Sequence, residues 1–339
     1  MSRAREISVS EDEDGMRLDR WVKAHAPELT HARLQKLLRT GQIRIGGGRA
    51  KANQRVQAGD LVRLPPEVTS AGGMVESDDG PQPARAKTSP KTSDDALVRD
   101  LLGRVLYRDD EILVIDKPSG LAVQGGSGLG RHLDGALDGL RFGTAERPRL
   151  VHRLDRDTSG VIALARTRKA AADLTRGFRE KGIRKLYWAA VAGVPDHPAG
   201  TIGMALEKKS NAFGREKMAE GDADDEGQRA VSHYWVIETL GRRAAWLAMS
   251  PETGRTHQLR VHAARGLDCP ILGDGKYGGR SAFPGGLNVS KRLHLHARRL
   301  VIPRPGAPMI DVSAPLPDHM QEAWNRFGFT ITTDADQFP

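Results

Sequence analysis

The chain has 339 residues, of which 38% are hydrophobic and 28% charged, an ordinary balance for globular protein and a length that argues against a single domain. No apolar run approaches the roughly 20 residues of a membrane helix, and the opening MSRAREISVSEDEDG has neither the apolar core of a signal peptide nor the acid-poor character of a transit peptide, so a cytoplasmic protein without a membrane partner is expected. A net charge of +9 points to a polyanion, nucleic acid first, and the single cysteine, Cys269, excludes a disulfide framework or a cysteine-rich zinc site.

The charge is concentrated near the start. Arg17 to Arg63 holds 11 Lys or Arg against 3 acidic residues, so most of the surplus belongs to one module. Leu18, Trp21 and Val22 fall at i, i+3, i+4, and Leu34, Leu37 and Leu38 repeat that spacing before Gly41, a helix stop. Two short helices follow from this. Arg33, Lys36 and Arg39 lie opposite the second leucine stripe and form a basic face that can run along phosphates, although a merely solvated face has the same pattern. IRIGGGRAKANQRVQAGDLVRL then reads as short strands joined by glycine turns. On RLDRWVKAH, THARLQKLLRTGQIRI and VQAGDLVRL, residues 1–66 resemble the S4 RNA-binding domain, a small α/β module.

Residues 67–96 carry few large apolar side chains and many Gly, Pro, Ser, Asp and Lys, which cannot build a packed core, so a flexible linker is expected there. Residues 97–339 read as one mixed α/β domain. EILVIDKPSG is a strand halted by Pro118 and Gly120, VIALART is another, TRKAAADLTRGFREKG is a helix carrying Leu174 and Phe178, and IRKLYWAAV is a strand with Lys185 and Tyr187 on one face.

VHRLDRDTSG lies between strand-like segments, so Asp155 is expected in a turn or at a strand end, where a rigid scaffold displays site residues. Surface ion pairs among Arg153, Arg156 and Asp157 would account for the same letters. What argues for chemistry is a second segment, SPETGRTHQLRVHAARG, whose Arg255, His257, Arg260 and His262 follow a glycine turn and can be brought against the first. A guanidinium beside an aspartate keeps it ionised and available as a nucleophile.

Other motifs carry less. Asp157-Thr158-Ser159-Gly160 lacks the glycine that an aspartic protease has directly after the hydroxyl residue. Gly273–Gly278 has the G-x-G-x-x-G spacing of a dinucleotide site, but GRSAFPGG follows where a helix must begin, so a glycine-rich loop is expected. GGSGLG at 125–130 lacks the ending of a phosphate-binding loop. His294 and His296 share a strand face without further ligands at metal-site spacing, and are read as structural or RNA-facing.

HRLDRDTSG at 152–160, KLY at 185–187, TGRTHQLRVH at 253–262 and LHLHA at 293–297 occur in that order, and on them the chain resembles the RluA family of pseudouridine synthases. ILVIDKPSGLAVQGGSG brings it close to the RluC-like branch, which modifies large-subunit ribosomal RNA. The resemblance implies an α+β catalytic fold with a mixed, mainly antiparallel sheet. It also implies Asp155 as nucleophile, Tyr187 as the ring stacked on an extruded uracil, and Arg255 as the ionic partner of Asp155. Lys117, Arg153, Arg156 and Lys185 join the basic helix face as candidate RNA contacts. Moving the ribose bond from N1 to C5 of uracil conserves every atom and oxidises nothing, so neither cofactor nor metal is expected. The carboxylate can add to the base, attack C1′ or take a ribose proton; the letters do not choose. The implied partner is 23S ribosomal RNA or its assembly particle, met by a monomer without a protein partner.

Three departures stand out: Gln124 where the branch commonly has histidine, the long linker, and a variable hairpin or loop near residues 211–228. Two other functions share some letters. A nucleic-acid glycosidase would use Asp155 and Asp157 as a carboxylate pair, and a non-catalytic RNA-binding or ribosome-assembly protein would leave Asp155 inert.

Overall fold

In the basic module the apolar spacing does what it predicts. In a computed structural model describing residues 5–26, 29, 31–52, 54–65, 91–125, 131–210, 216–221 and 228–338, the chain divides into units Met1–Ala86 and Lys87–Pro339. The first contains β1 (Arg5–Ser8), α1 (Leu18–His25), α2 (His31–Arg39), β2 (Arg44–Ile45), β3 (Gly48–Arg49) and β4 (Leu61–Leu64), with sheet order β1-β4-β2-β3. Leu18, Trp21 and Val22 of α1 pack with Leu34, Leu37 and Leu38 of α2 and with Val62 and Leu64 of β4. Gly41 follows α2 at φ +69°, a left-handed position that ends the helix. Arg33, Lys36 and Arg39 are exposed, on the side of α2 opposite the leucines.

Of the expected linker, residues 67–90 lie outside the described residues. Residues 91–96 do not continue it: they open α3 (Lys91–Leu102). KTSDDA has no large apolar side chain and reads as linker, but Leu101 downstream is fully buried and Leu97 and Val98 pack beside it, so tertiary contact supports the whole helix.

The second unit continues with β5 (Val105–Arg108), β6 (Ile112–Lys117), α4 (Leu133–Ala136), β7 (Arg149–Leu150), β8 (Ser159–Ala165) and α5 (Arg168–Arg179). Then come β9 (Arg184–Ala192), β10 (Ala199–Ser210), β11 (Glu216–Glu220), β12 (Gln228–Leu240) and β13 (Ala244–Pro251). The last elements are α6 (Gln258–Val261), β14 (Leu295–Ile302), β15 (Ile310–Ser313) and α7 (Asp318–Phe327). One sheet of 11 strands runs β11-β10-β12-β13-β9-β14-β8-β6-β5, with β15 beside β14 and β7 beside β8. Among the described strands only β8 and β14 form a parallel ladder; the sheet is mixed and mainly antiparallel, and the fold is α+β. In the segment expected to form a variable hairpin, β11 pairs antiparallel with β10, and residues 211–215 and 222–227 lie outside the described residues, as do residues 126–130 of the GGSGLG stretch.

Both faces of this sheet are covered, which explains the near-continuous apolar letters of β8. Ile162 and Leu164 pack with Leu101 of α3 and Leu133 of α4, whereas Val161 and Ala163 pack with Ala170 and Leu174 of α5. Thr167 caps α5 by accepting the amide hydrogen of Ala170 at 3.1 Å. Around β9 and β13, Trp188, Trp246 and Trp324 of α7 stack edge to face, with centroids 4.7 and 5.4 Å apart. No described helix is long and apolar enough to cross a membrane.

Several histidines serve this core. His294 donates from Nδ1 to the Arg292 carbonyl at 2.8 Å, and His296 accepts at Nδ1 from Ser159 Oγ at 2.9 Å while facing the Ala314 carbonyl with Nε2. Both are fully buried and hydrogen-bonded to the protein interior, which fits the structural one of their two expected roles. His262, also buried, has no hydrogen-bond partner for either ring nitrogen among the described residues. Burial pulls His262 and His294 down to about 4 and His296 to about 3, from an ordinary 6.5. The unfolded chain therefore binds these protons more readily than the folded one. Stability is full above about pH 6.5 and declines as pH falls toward 4, by up to about 1.4 kcal/mol per pH unit for each histidine. Urea midpoints measured from pH 7.5 to 5 should fall steadily below pH 6.5, and a flat profile would contradict this account.

Candidate active site

The seam between β8 and β14 positions the turn that precedes it. Gly160 of β8 sits opposite Ala297 of β14, which in turn sits opposite Tyr187 of β9, so the three form one row across the sheet. Gly160 has φ +106°, and a Cβ there would collide with the Ala297 carbonyl. Only glycine fits. Immediately upstream, residues 155–158 form a turn in which the Thr158 amide donates to the Asp155 carbonyl at 3.2 Å.

A loop after β6 clamps that turn. The Lys117 ammonium, fully buried, donates to the carbonyls of Pro118, Leu121 and Arg156 at 3.0, 2.9 and 3.1 Å. The Gly120 amide also donates to Arg156 O, and Ser119 Oγ donates to Asp157 O. Lys117, an expected RNA contact, does not face solvent, because its three donors are used on backbone carbonyls. Burial pulls its pKa down to about 7.

The turn presents Asp155 to a cavity of about 460 Å³ whose walls include His152, Lys185, Tyr187, His257 and Arg260. Lys185 and Tyr187 share one face of β9, as the alternation of that strand predicts. The Arg260 guanidinium, buried at 7% exposure, lies 3.6 Å from Asp155 Oδ2. On its other side it forms a two-pronged pair with buried Asp274, Nε to Oδ2 at 2.9 Å and Nη2 to Oδ1 at 2.8 Å. Asp274 is itself fixed by the backbone amides of Lys276 and Tyr277. His257 Nε2 stands 3.9 Å from the other Asp155 oxygen.

Arg255 is therefore not the ionic partner of Asp155. It lines the exposed rim of the same cavity, with its Nε directed at the Arg229 carbonyl at 3.4 Å and its amide bonded to Gln258 Oε1. The reason is local. His257 takes the left-handed conformation, φ +55° and ψ +19°, and the short helix α6 starts just after it, which turns His257 and Arg260 inward and leaves Arg255 outside.

The remaining expected residues separate by exposure. Arg153 is exposed at the cavity rim, and Arg156 is exposed with Nε on the Gly120 carbonyl and 3.9 Å from Asp157. Lys185 is half-buried, and burial draws its pKa down to about 8. His152 accepts the Ala163 amide hydrogen at Nε2 and is pulled to about 3 by burial, so it stays neutral. Burial, and secondarily the charge of Asp155, push the Tyr187 hydroxyl well above its ordinary value, leaving a neutral aromatic wall. Asp274 and Tyr277 are site residues that sequence reasoning misses. They lie in Gly273-Asp274-Gly275-Lys276-Tyr277-Gly278, a glycine loop as expected, and the glycine spacing is the one signal that marks them. Gly273 has φ +80° and would strike the Arg292 carbonyl with a Cβ. Among the described residues no group of three or more His, Cys, Asp or Glu could hold a metal ion.

A carboxylate in a small-ligand-sized cavity, flanked by a fixed guanidinium and an aromatic wall, is an arrangement able to carry chemistry. Residues 111–265 match the model of the RNA pseudouridylate synthase family. The chain is 34% identical to RNA pseudouridine synthase 4, mitochondrial, of Arabidopsis thaliana, with 93% of this chain and 80% of that protein covered. It is 33% identical to ribosomal large subunit pseudouridine synthase C of Vibrio cholerae, with 94% and 95% covered. The solved structure of human RNA pseudouridylate synthase domain containing 4 superposes with TM-score 0.58 at 28% identity, over 70% of this chain and 97% of that one. The chain belongs to the RNA pseudouridine synthase family, in its RluA, RluC-like branch, and is an isomerase.

The clamp makes a sharp prediction for Lys117→Met. It should lower stability by on the order of 3 kcal/mol, because three hydrogen bonds to backbone carbonyls are lost and, among the described residues, only the Arg156 carbonyl keeps a second donor, the Gly120 amide, while leaving the salt dependence of RNA binding as in the parent. Chemical denaturation and binding titrations at several salt concentrations would check both parts.

Proposed function

We propose that this enzyme converts uridines of large-subunit (23S) ribosomal RNA, free or in an assembling particle, to pseudouridine. Asp155 acts as the nucleophile, Arg260 holds it, and Tyr187 stacks on the extruded base. The observation that carries the assignment is the convergence of these three side chains on one cavity, with the guanidinium 3.6 Å from the carboxylate. The ribosomal substrate is supported by the names of the Vibrio and Rickettsia relatives, which cover most of this chain.

The chemistry suits these parts. The N1–C1′ bond breaks, the base turns, C5 bonds to C1′, and C5 loses its proton; a closed site must hold the detached base throughout. An aromatic platform offsets unstacking by roughly 1–3 kcal/mol for a flipped base. The exposed Arg153 and Arg156 beside the turn suit phosphate contacts, and so do Arg33, Lys36 and Arg39 on the S4-like module. A glycosidase with paired carboxylates is disfavoured: Asp157 is exposed and does not line the cavity that Asp155 faces.

Asp155→Asn should bind RNA like the parent and form no pseudouridine, read by carbodiimide-dependent primer extension, and neither protein should release free uracil. Pseudouridine formed at the normal rate by the variant would remove Asp155 from its role, and uracil release would replace isomerisation by hydrolysis. Replacing Arg33, Lys36 and Arg39 together by alanine should weaken RNA binding and lower the slope of log affinity against log salt by about 1 for each phosphate no longer neutralised. An unchanged slope would mean that this face does not touch the backbone.

A further inference from the structure

His257 faces Asp155 but is held from behind. Its Nδ1 lies 2.6 Å from the hydroxyl of Tyr277, which is almost fully buried. The same hydroxyl receives the amide hydrogen of Met218 on β11 at 3.2 Å. These are its two hydrogen-bond partners among the described residues. A backbone amide can only donate, so the single phenolic proton has one place to go, His257 Nδ1. A neutral imidazole that accepts at Nδ1 carries its hydrogen on Nε2, the nitrogen 3.9 Å from Asp155 Oδ1.

We propose that Tyr277 is a positioning residue: backed by the Met218 amide, its hydroxyl fixes His257 in the tautomer that presents Nε2–H to Asp155. The two carboxylate oxygens then face different donors, Oδ2 the permanent charge of Arg260 and Oδ1 a neutral N–H. Neutrality of the ring is consistent with its surroundings. Burial lowers the His257 pKa, and Arg260 and Lys276 oppose a further charge while Asp155 and Asp274 favour one. Cations also ring Tyr277 itself, with Arg260, Lys217 and Lys276 at 5.1, 5.2 and 5.7 Å from the ring centre. Because Met218 belongs to β11, the position of that strand is linked to His257 through two hydrogen bonds, and through the ring to the carboxylate 3.9 Å beyond it.

The catalytic consequence rests on the assignment of Asp155 as nucleophile; the tautomer does not. With histidine labelled by 15N in the full chain, and the His257 signals assigned by their loss in His257→Asn, the ring should show protonation at Nε2 alone near neutral pH. In Tyr277→Phe the ring should become a mixture of tautomers, and kcat on a short RNA substrate should fall roughly tenfold with KM changed less than about twofold. A ring protonated at Nδ1 in the parent protein overturns the proposal, as does a Tyr277→Phe variant with the parent's tautomer and kcat. If instead Asp155→Asn stayed active while the ring behaved as expected, the nucleophile assignment would fail and the tautomer lock would stand.

Discussion

A buried guanidinium cannot stand alone. Arg260 is held out of water by the packing of α6, and the energetic demand of that burial is met by Asp274, which takes two of its donors in parallel. The pair does more than neutralise charge. Asp274 is anchored by two backbone amides of the glycine loop, so the guanidinium has a fixed direction, and its remaining edge faces Asp155. The carboxylate thus meets a cation whose geometry is set before any substrate arrives, which is the condition under which electrostatic stabilisation is most effective.

Rigid parts hold the carboxylate as well. Asp155 lies on a turn, and a turn on its own would wander. Here the turn enters the interior strand β8 through a glycine that only fits because it has no side chain. It is also tied from below by a lysine whose charge is engaged by three carbonyls. The seam between β8 and β14 brings the strand bearing Tyr187 alongside, so the Asp155 carboxylate and the aromatic wall are set by closely placed strands of one sheet. Helices on both faces of the sheet keep these strands from shifting relative to one another.

Family membership and geometry also answer the competing functions differently. A binding protein has no use for a carboxylate flanked by fixed donors in a cavity, and the chain's relatives over nearly its full length are pseudouridine synthases. A hydrolytic pair of carboxylates would need both in one cavity. Asp157, two residues on, is exposed and lines a neighbouring surface pocket with Ser119 and Gly120, outside the cavity that Asp155 lines.

What the letters determined by themselves was local or periodic. The leucine stripes of α1 and α2, the helix after Thr167, the alternation that put Lys185 and Tyr187 on one face and the turn at Asp155 were legible because each depends on neighbours within a few residues. The ordered motifs were legible as a resemblance for the same reason. Tertiary structure decided the partners. Arg255 and Arg260 are equally plausible beside a glycine turn, and only the left-handed backbone at His257 turns one inward and leaves the other at the rim. Lys117 reads as a surface base until the loop after β6 folds over it, and Asp274 and Tyr277 read as loop residues until that loop packs against α6. Charge partners separated by much of the chain are chosen by the folding of everything between them, which no local pattern records.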